Sequence, residues 1–237
     1  MAATVEKPKK STRNEESNIG EKLNGFVQKN RRILVVALIA VVVILIGFIA
    51  SLSLRDKLQA AAFSKLDGLD RRYEALKPYV GSDKADAASK QADITTLLND
   101  LAAFQKKYSG FAAAKAYGIS ADIYGTQKNW AEAGKAWSAS AKAAPRSYLA
   151  PVSIFNAAVV QEEQGNIDAA IDLYTQTLSY ESSFPAAARA QFSIGRLQES
   201  KKDKDAALTA YKNLVSKWPN DPLWANLAQS RIMELSE

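Results

Sequence analysis

Cysteine and histidine are both absent from this chain of 237 residues. Their absence excludes disulfides, thiol nucleophiles, zinc sites of the Cys/His kind and acid–base catalysis by histidine. The sequence also lacks a glycine-rich phosphate loop, a paired-carboxylate motif and a nucleophile elbow. We therefore predict that the protein is not an enzyme, that it holds no metal and no cofactor, and that it has no small-molecule substrate.

Most of the chain also lacks an excess of positive charge, although the formal net charge is +6. Residues 1–32 contain eight basic and four acidic side chains, whereas residues 55–237 contain 23 basic and 21 acidic ones. The larger part is thus nearly neutral and predicts no binding of nucleic acid. The basic N-terminal part, which is poor in apolar residues, predicts a disordered tail that touches anionic lipid headgroups.

One long apolar run, Ile33–Leu54, contains no charged residue. As a helix it would span about 33 Å, close to the thickness of the hydrocarbon core of a bilayer. The alternatives are a buried core helix and a cleaved signal peptide. A signal peptide has a shorter basic region, a shorter apolar stretch and small residues at its cleavage site. We therefore predict an uncleaved transmembrane helix over residues 33–54.

The charges beside this run predict its orientation. Three basic residues directly precede it, and only two, with an aspartate between them, closely follow it. Because basic residues are retained on the cytoplasmic side, residues 1–32 are predicted to be cytoplasmic and residues 55–237 to lie outside the cytoplasm. In a bacterium this places a single-pass protein in the cytoplasmic (inner) membrane with a periplasmic C-terminal domain.

Two helices are predicted between the apolar run and position 113. Apolar residues recur at spacings of three and four after position 54, which predicts a juxtamembrane helix over residues 55–80 that Pro78 and Gly81 end. A second helix over 88–108 is interpreted as the second half of a degenerate first repeat, residues 81–113.

A pattern of small and aromatic residues returns every 37 residues in the C-terminal half. Each unit has a small residue, then an alanine twelve residues later, then an aromatic residue four positions after that. These residues are Ala121, Ala133 and Trp137 in the first unit, Ala158, Ala170 and Tyr174 in the second, and Gly195, Ala207 and Tyr211 in the third. The small residues would let two antiparallel helices approach closely. We therefore expect Ala170 to be tightly packed and Ala141 to face solvent.

This pattern resembles the tetratricopeptide repeat. The resemblance implies an all-α fold, a solenoid of helix pairs that follows one transmembrane helix. It implies three repeats over residues 114–219 and a capping helix over 220–237, since each unit buries its apolar face only against its neighbours. It also implies that the protein binds other proteins or peptides.

In such a solenoid the first helix of each pair lines the concave face, which is the usual peptide groove. The candidate groove residues are Lys115, Gly118, Asp122, Gly125, Val152, Phe155, Val159, Glu162, Arg189, Phe192, Arg196 and Glu199. Phe155 and Phe192 occupy equivalent positions, either as a pair on the groove floor or as packed core residues. The Lys/Asn clamp of relatives that bind chaperone tails is missing at these positions.

The order of a basic tail, an anchor and repeats resembles the bacterial inner-membrane family of ancillary translocon subunits. That resemblance implies an adaptor at the Sec translocon or with periplasmic chaperones. The alternative is a scaffold for another envelope complex, which serves outer-membrane assembly, cell-wall synthesis or secretion. The least favoured function is that of an enzyme accessory subunit. The implied partners are proteins or peptides at the repeats and membrane lipid at the anchor.

Overall fold

The computed structural model of the chain describes residues 12–82 and 87–237. These residues form α-helices and two short 3-10 helices, Lys77–Tyr79 and Leu178–Tyr180, and no strand occurs among them. The predicted all-α fold is thus confirmed. The α-helices are α1 (Thr12–Leu76), α2 (Ala87–Lys107), α3 (Gly110–Thr126), α4 (Trp130–Ala143), α5 (Leu149–Glu163), α6 (Ile167–Thr177), α7 (Ala187–Ser200), α8 (Lys204–Lys217) and α9 (Trp224–Ser236).

The chain divides into two compact units, Met1–Leu58 and Gln59–Glu237. In the first unit, the segment Phe26–Ile49 is long and apolar enough to cross a membrane, and none of it is buried. A core helix of a soluble protein would be mostly buried. This segment overlaps the predicted transmembrane helix over residues 33–49.

The N-terminal tail differs from the predicted disorder over residues 1–32, because α1 already begins at Thr12. Residues 1–11 lie outside the described part of the chain. No proline interrupts positions 12–32. Extending an existing helix avoids the cost of nucleating a new one, so polar residues next to the apolar segment can continue its helix.

In the second unit the helices after α2 form consecutive antiparallel pairs, α3 with α4, α5 with α6 and α7 with α8. The turn within each pair contains one residue with a left-handed backbone. These residues are Lys128 (φ 58°), Gly165 (φ 75°) and Lys202 (φ 63°), which are 37 positions apart. The left-handed conformation lets the backbone amide of the following residue donate a hydrogen bond to a carbonyl near the end of the first helix. The chain therefore reverses its direction within three residues.

The small residues lie where the two helices of a pair come closest. Ala158 and Ala170 have no exposed surface and share one apolar cluster with Tyr174. In the third pair the Tyr211 ring lies against Gly195, where an added Cβ would come within 2.5 Å of a ring carbon. Helix α9 then packs on α8 through Ala225 and Ala228.

The last turns of α1 act as the partner helix of α2, which the sequence pattern did not indicate. Leu66 and Tyr73 of α1 share a buried cluster with Leu101 and Phe104 of α2 and with Ile119 of α3. This α1 segment lacks the small-residue signature of the later first helices. Its role was therefore not evident from the repeat pattern.

Substitution of Ala170 tests the close approach of the helices. Leucine at this position adds three carbons to a site with no exposed surface, and such overpacking costs about 1–3 kcal/mol. The neighbouring Ala169 is exposed on the same helix. We expect Ala170→Leu to lower the melting temperature of the detergent-solubilised chain by several degrees in circular dichroism, and Ala169→Leu to change it little.

Ala169 is the solvent-exposed control for this prediction. Ala141 was expected to face solvent, but it is half-buried in a cleft with Ile154, Leu173 and Tyr180. The α5 and α6 helices of the next pair cover it, so that expectation is wrong. Equal melting temperatures for the Ala170 and Ala169 variants would contradict the packing described here.

Candidate peptide groove

Four of the predicted groove residues line one cavity of about 240 Å³. Lys115, Gly118 and Asp122 come from α3, and Val152 comes from α5. The other lining residues are Asp70, Tyr73, Lys77, Ala114, Ile119, Trp137, Ser140, Leu149 and Ser153. We call this space the α3–α5 cavity. Its lining comes from four α-helices and from the 3-10 helix Lys77–Tyr79, so the cavity exists only when these helices are packed together.

The floor of the α3–α5 cavity is apolar because of Gly118. A Cβ at this position would lie 3.4 Å from the Trp137 ring. Without a side chain at Gly118, the Trp137 ring lines the cavity together with Leu149 and Val152. Such a floor suits an apolar side chain of a ligand.

Polar pairs form the wall on the α1 side. The Lys115 ammonium lies 2.6 Å from an oxygen of Asp70, and the Tyr73 hydroxyl donates to Asp122. Burial and the Asp122 hydrogen bond raise the pKa of Tyr73 well above its usual range, so the phenol stays protonated as a donor. The wall thus offers one ion pair, Lys115 with Asp70, and one carboxylate, Asp122, whose described partner is the neutral Tyr73 phenol.

The predicted groove residues of the second pair lie mostly in the core. Phe155 is only 6% exposed. Its ring packs 5.2 Å from Tyr174 and 5.8 Å from Phe184 of the following loop, and the Arg189 guanidinium covers it at 5.0 Å. Phe155 therefore does not lie on an open groove floor. Val152 and Val159 are half-buried against the same cluster.

Phe192 lies in a different apolar cluster from Phe155. It is half-buried and contacts Tyr211 and Trp224, each with ring centroids 5.3 Å apart. The two phenylalanines do not form a shared floor, because each one packs against the aromatic residue of its own second helix.

The remaining charged candidates form hydrogen bonds between neighbouring helix pairs. Glu162 accepts a hydrogen bond from Tyr174 of its own pair (3.2 Å) and from Arg196 of the next pair (2.6 Å). We call this arrangement a Tyr–Glu–Arg clasp. Burial raises the pKa of Tyr174 to about 12, so this hydroxyl remains a donor at neutral pH.

A second clasp joins the third pair to α9. Glu199 accepts from Tyr211 (2.5 Å) and from Nε of Arg231 (3.0 Å). The hydrogen bond from Arg231 holds the pKa of Glu199 below its usual value. Glu162, Arg196 and Glu199 are thus engaged within the protein, and the α3–α5 cavity is the part of the predicted groove best placed to receive a ligand.

Several residues of the site were missed by the sequence analysis. Asp70, Tyr73 and Arg231 lie outside the three predicted repeats, so no repeat position pointed to them. Within the described ranges, no group of three or more Asp, Glu, His or Cys side chains could hold a metal ion. The cavity therefore offers apolar contact and hydrogen bonds.

The second clasp predicts a specific dependence of stability on pH. The folded-state pKa of Glu199 is lowered, so its contribution is present above about pH 4.5, the unfolded value. It is lost as the pH falls through the folded-state pKa. We expect Glu199→Gln to cost about 1 kcal/mol at pH 7, since Arg231 is partly solvated.

Below about pH 4 the gap in unfolding free energy between Glu199→Gln and the unmodified protein should shrink. Urea unfolding of the detergent-solubilised chain at several pH values measures it. Glu163→Gln is the matched control, because Glu163 is exposed at the end of α5 and takes part in none of the described ion pairs. A gap for Glu199→Gln that stays constant with pH would contradict the role of the clasp.

Comparison with known proteins adds independent evidence. Residues 155–222 match the family model of the tetratricopeptide repeat. The chain is 30% identical to a TPR repeat-containing protein of Treponema pallidum (strain Nichols) over 226 residues, which cover 91% of this chain and 93% of that protein.

A solved structure shares the fold. The crystal structure of BtubC (BKLC) from P. vanneervenii superposes with a TM-score of 0.51 at 15% sequence identity. The match covers 76% of this chain and 82% of that one. At this identity the likeness concerns the fold alone.

The helix pairs, their 37-residue period and these matches agree with one another. Proteins built from such repeats are in general non-enzymatic scaffolds that bind other proteins or peptides. This chain belongs to the tetratricopeptide-repeat family.

Proposed function

We propose that the protein is a membrane-anchored adaptor of the bacterial envelope, and that a peptide segment of a partner binds in the α3–α5 cavity. The observation that carries this proposal is the combination of an apolar floor at Gly118 and Trp137 with a wall of hydrogen-bonding pairs. Peptide grooves use the same combination: pockets hold side chains, and polar groups bind the backbone.

The size of the cavity supports a peptide rather than a cofactor. Its volume of about 240 Å³ is below the range of about 300–1,000 Å³ that is usual for pockets of drug-sized ligands. One or two side chains of an extended or helical segment would fill it. The Lys115–Asp70 ion pair and the Asp122 carboxylate, which accepts from the neutral Tyr73 hydroxyl, would fix the orientation of that segment.

The proposed anchor is the apolar segment of α1. Its side chains are exposed throughout Phe26–Ile49, and a bilayer would cover them. The basic residues before it support a cytoplasmic N-terminus and periplasmic repeats. A segment near the N-terminus with this composition could also be a signal sequence, but the long basic region ahead of it favours an anchor.

The proposed partners are the Sec translocon or periplasmic chaperones. The order of tail, anchor and repeats supports this choice through its resemblance to the ancillary translocon subunits. A scaffold for another envelope complex would use the same anchor and the same cavity, so the identity of the bound protein decides between the two functions.

Photocrosslinking in native membranes tests the proposal. A diazirine amino acid at Val152 places the reactive group in the cavity, and the same group at the exposed Asp172 of α6 is the control. We expect covalent adducts from Val152 and few from Asp172. Gly118→Leu should lower the yield at Val152 several-fold, because the new side chain would occupy the floor beside Trp137.

Mass spectrometry of the adducts identifies the partner. Translocon subunits or chaperones would support the proposed pathway, and another envelope complex would support the scaffold. Equal yields from Val152 and Asp172, or a yield at Val152 that Gly118→Leu leaves unchanged, would contradict binding in the cavity.

A further inference from the structure

The loops between successive helix pairs lie along one edge of the repeat unit. The Tyr180 hydroxyl, after α6, donates to the carbonyl of Pro145, after α4, at 3.2 Å. The Lys217 ammonium at the end of α8 lies 2.7 Å from a carboxylate oxygen of Glu181, in the loop after α6. We call this surface the loop edge. It comprises residues 106–111, 142–148, 178–186 and 217–223, together with Phe63 of α1.

An exposed row of aromatic rings lies on the loop edge. Phe111 at the start of α3 contacts Phe63 (ring centroids 6.1 Å apart) on one side and Tyr148 (5.6 Å) on the other. Phe63 is 45% exposed and Tyr148 is 66% exposed. These rings come from α1, from α3 and from the residue before α5, which are remote in sequence, so the fold assembles the row at the surface.

Basic side chains flank the aromatic row. Lys106, Lys107, Lys142 and Arg146 are exposed, and none of them takes part in a described ion pair. On the same edge the acidic side chains are already engaged. Glu181 pairs with Lys217, and Asp221 accepts hydrogen bonds from the backbone amides of Leu223, just before α9, and Trp224, its first residue. The edge therefore presents a net positive charge.

The opposite ends of the helix pairs differ from the loop edge. The turns over 127–129, 164–166 and 201–203 contain no aromatic residue. At that end Lys201 is paired with Asp168 at 2.5 Å. A cluster of exposed rings flanked by cations outside ion pairs is thus described at the loop edge, and the three turns at the opposite end do not contain one.

We infer that the loop edge binds the anionic headgroup region of a lipid bilayer. Aromatic rings are favoured at the membrane–water interface, and lysine and arginine are attracted to anionic lipids. The inference rests on the proposed anchor: thirteen residues separate Ile49, the end of the apolar segment, from Phe63. This connection is short enough for the loop edge to contact the bilayer that holds the proposed anchor. Protein–protein interfaces are usually centred on residues that become fully buried, and four exposed cations outside ion pairs fit such a centre poorly.

Site-directed labelling of the full chain in lipid nanodiscs tests this inference. Because the chain has no cysteine, each single-cysteine variant carries one fluorophore. Ser109→Cys places the label beside Phe111, at an exposed residue whose side chain makes no capping bond. Glu163→Cys places it at the far end of α5. Ala40→Cys places it in the apolar segment.

The probe is a lipid with a quenching spin label near its headgroup, added to discs with or without phosphatidylglycerol; for the Ala40 variant the spin label is carried deep in the acyl chain of the lipid. We expect the Ser109 label to be quenched several-fold more than the Glu163 label in anionic discs. The difference should diminish at high salt and in zwitterionic discs. Phe63→Ser combined with Tyr148→Ser should also diminish it, and both residues are exposed enough to be replaced without unfolding the core.

Each alternative result has a definite meaning. If the Ala40 label is quenched but the labels at Ser109 and Glu163 are quenched equally, the inference is overturned and the anchor stands. The discs hold only lipid and purified protein, so that result would leave the loop edge to a protein partner. If the Ala40 label is not quenched, the anchor itself fails, and the inference fails with it.

Discussion

The close approach of two helices within each pair is the constraint on which the rest of the repeat unit depends. Ala158 and Ala170 meet with no exposed surface, and at Gly195 there is no room even for a methyl group against Tyr211. This approach sets the positions of Tyr174 on α6 and Tyr211 on α8, where the first pair has Trp137 instead. The tyrosine hydroxyl then reaches the glutamate of its own pair, and an arginine of the next helix completes the clasp. Packing inside one pair thereby aligns it with its neighbour.

The same geometry separates two surfaces with different chemistry. The α3–α5 cavity combines the Trp137 ring with the Lys115–Asp70 ion pair, and it suits a peptide. At the loop edge, exposed rings lie among unpaired lysines, and this surface suits a lipid headgroup region. An adaptor that holds its repeats close to a bilayer while it binds a partner would need both. Both surfaces are formed by loops and helix faces that are not part of the buried core.

The fold could be predicted from the sequence because the residues that pack between the helices recur at a fixed spacing. A spacing of 37 residues located the small and the aromatic residues, and the left-handed turn residues Lys128, Gly165 and Lys202 follow the same spacing in the structure. The burial of Ala141 could not be predicted, and Phe155 stayed open between groove floor and core, because both positions depend on side chains that follow in the chain. Arg231, Asp70 and Tyr73 were missed because the elements that carry them lie outside the repeat pattern. The helix from Thr12 was missed because composition alone does not show that a neighbouring helix can extend into a polar segment.

The central claim is that the apolar segment holds the repeats outside the cytoplasm, where they meet envelope proteins. A pair of reporters fused in turn after Glu237 tests it most directly. Alkaline phosphatase is active only outside the cytoplasm, and green fluorescent protein exported through the Sec pathway is fluorescent only inside it. The account predicts an active phosphatase fusion in the membrane fraction and a dark fluorescent fusion. A fluorescent fusion with inactive phosphatase would contradict it.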